Sequence, residues 1–139
     1  MFPLQSSILI VDDSPVYLEM LESLLRELGF NNVTSATDGK KGLETLEAMK
    51  DTPNAIQLVF IDCVMPHVSG IEFIERVRSH ATLSKLPIII DSSPSEKDVF
   101  LQALQKGANS FLEKPIIKSA LEKCLKSVWQ HCQSDKDKK

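Results

Sequence analysis

Five short apolar segments, each followed by a stretch with helical periodicity, are the feature that most constrains the fold of this chain. The segments lie at Ile8–Val11, Val33–Thr37, Leu58–Ile61, Ile88–Ile90 and Ser110–Leu112. Continuous apolar runs of this length, bounded by turn residues, are typical of parallel strands that are covered on both faces. Because parallel strands need crossover connections, the alternation predicts an α/β fold with helices on both sides of one sheet.

Local signals mark where the helices between these strands begin and end. Ser14 and Pro15 predict the start of the first helix, since serine caps free backbone N–H groups and proline lacks one. Gly29 and Gly107 predict the ends of the first and fourth helices. Capping-box pairs predict the starts of the third and fourth helices at Ser69 with Glu72 and at Ser95 with Asp98, and the second and fifth helices are expected over about 38–50 and 117–132.

Right-handed crossovers turn this alternation into a doubly wound sheet. The common five-stranded order is 2-1-3-4-5, which is flavodoxin-like and has its ligand site at the carboxyl ends of the central strands. The 139 residues fit one domain, which we expect over residues 1–133, with a short polar tail at 134–139.

Composition excludes several classes of function. Lys and Arg number 16 against 19 Asp and Glu, so the net charge of −3 argues against direct binding of nucleic acid. The three cysteines form no CxxC pair, which argues against a disulfide framework or a zinc site and favours a cytoplasmic protein with reduced thiols. No apolar run approaches the ~20 residues that cross a bilayer, so no membrane association is predicted.

Charged and polar residues follow the strands at the edge where such folds bind ligands. Asp12 and Asp13 follow the first strand, Asp62 the third, Ser92 the fourth and Lys114 the fifth. Clustered carboxylates repel one another unless a cation joins them, and Mg²⁺ is bound by one or two carboxylates plus water. A lysine and a serine beside such an ion suit a phosphoryl group, and a carboxylate such as Asp62 can serve as the nucleophile that forms an acyl phosphate.

At this point the sequence resembles the receiver domains of two-component response regulators. The resemblance covers about residues 6–132 and is carried by four stretches in the family's order and spacing, at 8–14, 59–70, 86–92 and 107–115. It implies the fold described above and a phosphorylatable signalling switch with Mg²⁺ as its cofactor.

The resemblance assigns roles at the acidic edge. It implies that Asp62 is the phosphoacceptor and that Asp13 is the main metal carboxylate. Asp12 is implied to act through metal-bound water, and the backbone carbonyl of Val64 to bind Mg²⁺. Lys114 is implied to contact the phosphoryl group and to precede a cis peptide bond.

The resemblance also implies how the signal is received and passed on. The phosphodonor is a histidine kinase or a histidine phosphotransfer protein, and it docks beside the site near Val16. Ser92 and Phe111 are the switch residues, and the output is a phosphorylation-dependent contact with a downstream protein. The domain is expected to be a monomer or a weak phosphorylation-dependent dimer. It is no enzyme beyond its own phosphorylation and dephosphorylation.

Several positions depart from the family pattern. Asp91 stands where an apolar residue usually precedes the switch hydroxyl. Strand alternation places it opposite Ser92, and we expect a solvated strand end, with pairing to a lysine or to backbone N–H groups as the alternative. Asn109 and Ser110 replace an acidic pair that supports a symmetric dimer in one DNA-binding subfamily. Val64 and Pro94, which border the path of the hydrolytic water in resembling receivers, cannot hydrogen-bond through their side chains, so a slowly hydrolysed phosphoryl group is predicted.

Four alternatives stay open at this point. The first is that the chain is a fragment of a larger response regulator or hybrid kinase. The second is that it is a degenerate receiver that only binds partners. An aspartate-nucleophile phosphatase would need an Asp-x-Asp pattern on the first strand, where this chain has Asp12-Asp13-Ser14, and a cap for which there is no room. A flavodoxin-like FMN binder would need a phosphate loop in place of residues 14–17.

Overall fold

The structure is a computed structural model that describes residues 1–65 and 67–137. The strands are β1 (Ile8–Val11), β2 (Val33–Ala36), β3 (Leu58–Asp62), β4 (Ile88–Ser92) and β5 (Ser110–Glu113). The helices are α1 (Pro15–Glu27), α2 (Gly39–Met49), α3 (Gly70–Arg78), α4 (Lys97–Lys106) and α5 (Lys118–Asp137). All strand pairs are parallel in the order β2-β1-β3-β4-β5, which confirms the predicted flavodoxin-like sheet.

Side-chain caps begin the first three helices where the sequence predicts. Ser14 Oγ accepts a hydrogen bond from the N–H of Tyr17, and Ser69 Oγ from the N–H of Glu72. Asp38 caps α2 in the same way. Gly107 ends α4 with a φ of +119°, a left-handed conformation that glycine adopts without steric cost.

The predicted start of α4 is wrong. Ser95 and Asp98 do not form the cap; a 3-10 turn spans Pro94–Glu96, and the Glu96 carboxylate accepts a hydrogen bond of 2.7 Å from the N–H of Ser93. Proline favours the first position of a helical turn, so Pro94 moves the cap to the residue before it. The loop after β4 is thereby tied to the helix that follows it.

The sheet separates two apolar layers. One layer joins α1 and α5 to the sheet, with Leu21, Leu25 and Leu121 against Ile10 and Phe60. The other joins α2, α3 and α4 to the opposite face. Burial of a leucine or isoleucine side chain stabilises a fold by about 1.5–3 kcal/mol, and the burial of both faces explains the continuous apolar runs.

The last helix extends further than predicted. α5 runs to Asp137, so part of the expected polar tail continues the helix, and residues 138 and 139 lie outside the described residues. Within residues 1–65 and 67–137, no helix has the length and apolar character needed to cross a membrane.

Candidate functional site

Three carboxylates meet at the carboxyl end of the sheet. Ligand atoms of Asp12, Asp13 and Asp62 all lie within 4.8 Å of one another. Asp12 and Asp13 follow β1, and Asp62 ends β3, its direct neighbour in the sheet. Asp12 and Asp62 are buried, whereas Asp13 is exposed, so the cluster is open to solvent on one side.

Asp12 is held at both carboxylate oxygens. Its Oδ1 accepts a hydrogen bond of 2.8 Å from the N–H of Ser14, at the start of α1. Its Oδ2 accepts one of 2.9 Å from the ammonium of Lys114. These two bonds fix the orientation of a carboxylate that is 1% exposed.

Lys114 joins the carboxylates of two strands. Its Nζ lies 3.2 Å from Asp62 Oδ1 as well as 2.9 Å from Asp12 Oδ2. Burial opposes the charge of the ammonium, but the hydrogen bond to Asp12 and the charge of Asp62 outweigh it and raise the pKa of Lys114. Its backbone N–H donates a 2.8 Å bond to the carbonyl of Ser92, and its peptide bond to Pro115 is cis, as the resemblance implies.

Asp62 lies in an environment that disfavours its ionised form. Burial, followed by the charge of Asp12, raises the pKa of Asp62 to about 6, although Lys114 acts in the opposite direction. A divalent cation would reverse this effect. The donors are hard carboxylate oxygens with one open side, which is the ligand set that Mg²⁺ prefers.

The remaining predicted site residues lie on β4, on β5, in the loop after β3 and on the first turn of α1. Ser92 ends β4 and is buried. Phe111 on β5 is 39% exposed, and its ring stacks on Phe100 of α4 with 4.1 Å between centroids. Val64 and Val16 are exposed, at 51% and 77%. Pro66, in the loop after Asp62, lies outside the described residues.

The expectation that Asp91 is a solvated strand end is wrong, because the side chain is 1% exposed. β4 continues past the predicted end at Ile90, so that Asp91 is a ladder partner of Asp62. Burial raises the pKa of Asp91 well above its ordinary value, with Lys114 acting in the opposite direction. The register of two adjacent parallel strands was the signal that would have placed Asp91 beside Asp62.

Tyr17 is a second residue that sequence reasoning left out of the site. It lies on the first turn of α1 and is 9% exposed. Lys114 Nζ lies 4.2 Å from the centroid of its ring, a cation–π distance. The sequence places Tyr17 on the buried side of α1, but the contact depends on how that helix packs against the end of β5.

A separate cavity of about 710 Å³ lies at the opposite edge of the sheet, lined by residues that include Phe2, Arg78 and Trp129. Arg78 donates hydrogen bonds there to the backbone carbonyls of Gly107 and Leu86. The guanidinium therefore joins the loops that precede β4 and β5, and the cavity is remote from the carboxylates.

The sequence matches the profile of the response regulator receiver domain over residues 8–126. The chain belongs to this family. The match includes all the site residues described above and agrees with the observed strand order. The receiver assignment made from the motifs is therefore confirmed.

Known proteins with the same domain are similar over most of this chain. The two-component response regulator-like protein PRR37 of rice is 35% identical over 127 residues, which are 91% of this chain and 17% of that protein. The chain thus spans only a small part of this relative.

Solved receiver structures resemble it closely. The chemotaxis protein CheY4 of Vibrio cholerae matches with a TM-score of 0.74 at 26% identity, over 89% of this chain and 98% of that one. The receiver domain of the Pseudomonas aeruginosa sensor histidine kinase PA1611, which has a magnesium ion coordinated in its active-site cleft, matches with a TM-score of 0.76 at 26% identity over the same shares.

Proposed function

We propose that this domain is a phosphorylatable switch that takes a phosphoryl group from a partner phosphohistidine onto Asp62. The donor is a histidine kinase or a histidine phosphotransfer protein, and the reaction takes place in the cytoplasm. The domain comprises residues 1–133, which either act alone or form the receiver of a larger regulator. The phosphorylated form then binds a downstream protein.

One observation carries this proposal: Lys114 bridges Asp12 and Asp62 across two strands at the open end of the sheet. A lysine held there supplies a positive charge for the oxygens of an incoming phosphoryl group. An Asp62 carboxylate oxygen forms a bond to phosphorus while the bond from phosphorus to the imidazole nitrogen breaks. The products are an acyl phosphate on Asp62 and a free histidine on the donor.

The acidic cluster would hold the Mg²⁺ that the family binds. Asp13, Asp62 and the backbone carbonyl of Val64 would be direct ligands, and Asp12 would act through metal-bound water. When bound, the ion supplies positive charge that neutralises the carboxylates and the phosphoryl oxygens. Its presence would also keep Asp62 ionised, against the burial that raises the pKa of that carboxyl to about 6.

The signal would leave the site through Ser92 and Phe111. Ser92 accepts a backbone hydrogen bond from Lys114, and it starts the loop that Glu96 ties to α4. Phe111 rests on Phe100 of α4 and is partly exposed. A shift of the Ser92 hydroxyl toward the phosphoryl group would therefore change the face formed by α4 and β5.

Labelling with acetyl phosphate and Mg²⁺ tests the acceptor. We expect Asp62→Ala to abolish phosphate that hydroxylamine releases from the chain, whereas Asp98→Ala on α4 should label like the parent protein. Undiminished labelling of the Asp62 variant would contradict the assignment.

Beryllofluoride with Mg²⁺ separates a working switch from a receiver that only binds partners. We expect NMR shifts at Ser92 and Phe111 in the parent protein and none in Asp62→Ala. A parent spectrum that does not change would show that the domain does not respond to a phosphoryl group. The family match leaves the phosphatase and FMN-binding alternatives without support.

A further inference from the structure

We propose that Tyr17 is a positioning residue whose ring holds the ammonium of Lys114 at the acidic cluster. The inference deepens the proposed function, on which it rests for the role of Lys114 in binding the phosphoryl group. The contact between the ring and the ammonium is present regardless of that role.

Four contacts form a closed circuit through Tyr17. The N–H of Tyr17 donates to Ser14 Oγ at 3.3 Å, and the N–H of Ser14 donates to Asp12 Oδ1 at 2.8 Å. The other oxygen of Asp12 accepts the 2.9 Å bond from Lys114 Nζ, which lies 4.2 Å from the Tyr17 ring. The start of α1 therefore places both the carboxylate and the ring that hold one ammonium.

A lysine at this position needs such support. Its side chain is a flexible four-carbon stem with a compact charge, so carboxylates alone fix only the ammonium at the end of that stem. Both carboxylate partners, Asp12 and Asp62, would take part in binding the metal and the phosphoryl group. The Tyr17 ring would bind neither the metal nor the phosphoryl group, so it can hold Lys114 throughout the reaction.

Asp91 is a second buried polar residue in the same layer as Tyr17. Tyr17 is 9% exposed and Asp91 1% exposed, on the face of the sheet that α1 covers. After burial, the charge of the Asp91 carboxylate is the largest cause that raises the pKa of Tyr17. Within the described part of the chain, Tyr17 Oη and Asp91 Oδ1 are buried and have no hydrogen-bond partner.

Two substitutions separate positioning from simple packing. Tyr17→Phe keeps a ring under the ammonium, whereas Tyr17→Leu keeps an apolar side chain without a ring. Leu18→Ala is the matched control, because Leu18 is buried on the same helix turn. Truncation of Leu18 to alanine lowers the stability of the fold, because it leaves a cavity in the core.

Three measurements follow each variant. Ring-current shifts of the Lys114 ε-methylene protons, assigned with Lys114→Arg, report the contact without any phosphoryl group. Mg²⁺ titration measures the affinity of the carboxylate cluster for the metal. The beryllofluoride concentration at half-saturation, in excess Mg²⁺, measures how well Lys114 supports binding of this phosphoryl analogue.

We expect the upfield shift of the Lys114 protons to be kept in Tyr17→Phe and lost in Tyr17→Leu. In Tyr17→Leu, half-saturation by beryllofluoride should need about fivefold more of the ligand, the size of a partly desolvated cation–π contact. Mg²⁺ affinity should stay as in the parent protein in both variants. Leu18→Ala should lower the unfolding midpoint and keep the parent value for beryllofluoride.

Parent-like beryllofluoride binding in Tyr17→Leu, or equal loss in Tyr17→Phe, would overturn the proposal. So would a joint loss of Mg²⁺ and beryllofluoride binding in Tyr17→Leu, because a general distortion of the site affects both. If the parent protein itself failed to bind beryllofluoride, the proposed function would fail, while the proton shifts would still decide whether the ring holds Lys114.

Discussion

Asp62 and Asp91 are direct partners in the parallel ladder between β3 and β4, and both side chains are buried. Only Asp62 accepts a hydrogen bond from Lys114 and shares the acidic cluster with Asp12 and Asp13. Asp91 is 1% exposed, and burial raises its pKa well above the ordinary value. Two adjacent carboxyls thus have different surroundings, because only Asp62 belongs to the acidic cluster.

This difference predicts how the two flanking aspartates affect the metal. Asp13→Asn should lower Mg²⁺ affinity by at least the roughly 10–100-fold that the loss of a supporting group costs at metal sites. Asp91→Asn should lower it by much less, since Asp91 lies outside the cluster. Titration of each variant with Mg²⁺, followed by NMR, measures the two affinities. The reverse order would mean that Asp91 contributes to the metal site.

Much of this site was predictable from the sequence, and the reasons are physical. The apolar runs determine the strands, and the carboxyl ends of parallel strands bring Asp12, Asp62 and Lys114 together. The burial of Asp91 was not predictable in this way, because it depends on how the layer that contains α1 and α5 packs against the sheet. The cap at Ser95 was wrongly predicted because Pro94 starts a 3-10 turn, which Ser93 caps, and α4 begins after that turn at Lys97.

The raised pKa of Asp62 predicts a pH dependence of stability in the metal-free protein. Its pKa of about 6 in the folded state exceeds the value of about 3.9 in the unfolded chain. The stabilisation from the protonated form is therefore complete below about pH 4 and is lost as the pH rises through about 6. At about 1.36 kcal/mol per pKa unit, the loss is about 3 kcal/mol.

Asp62→Asn removes this titration, so the variant should exceed the parent in stability at pH 7 and approach it at pH 4. Urea unfolding with a chelator present measures the difference, and Asp13→Asn, which alters an exposed carboxylate, is the control. A stability difference that does not change with pH would contradict the prediction. Excess Mg²⁺ should reduce the difference, because the ion stabilises the ionised form of Asp62.

Val16 predicts where the phosphodonor docks. Its side chain is 77% exposed on the first turn of α1, beside the acidic cluster, and Ile117 before α5 is 65% exposed. We expect Val16→Lys to slow transfer from a histidine phosphotransfer protein and to spare labelling by acetyl phosphate. Ser23→Lys places the same charge on an exposed position further along α1 and is the control. Equal transfer rates in the two variants would leave Val16 as ordinary surface.

Val64 and Pro94 predict a long-lived phosphoryl group. Both side chains are exposed, at positions that border the path of the attacking water in resembling receivers, and neither can donate or accept a hydrogen bond. Positioning of a water by a polar group is worth about 10²–10⁴-fold in full catalysis, and part of that help is missing here. We therefore expect slow hydrolysis of phosphorylated Asp62.

In the double variant Val64→Asn, Pro94→Glu, purified phosphoprotein with Mg²⁺ should lose phosphate severalfold faster than the parent. The control Val64→Leu, Pro94→Ala changes the same positions without adding polar groups and should keep the parent rate. If the polar variant loses phosphate no faster than the parent, these side chains do not set the lifetime, and the inference of a slow switch fails with them.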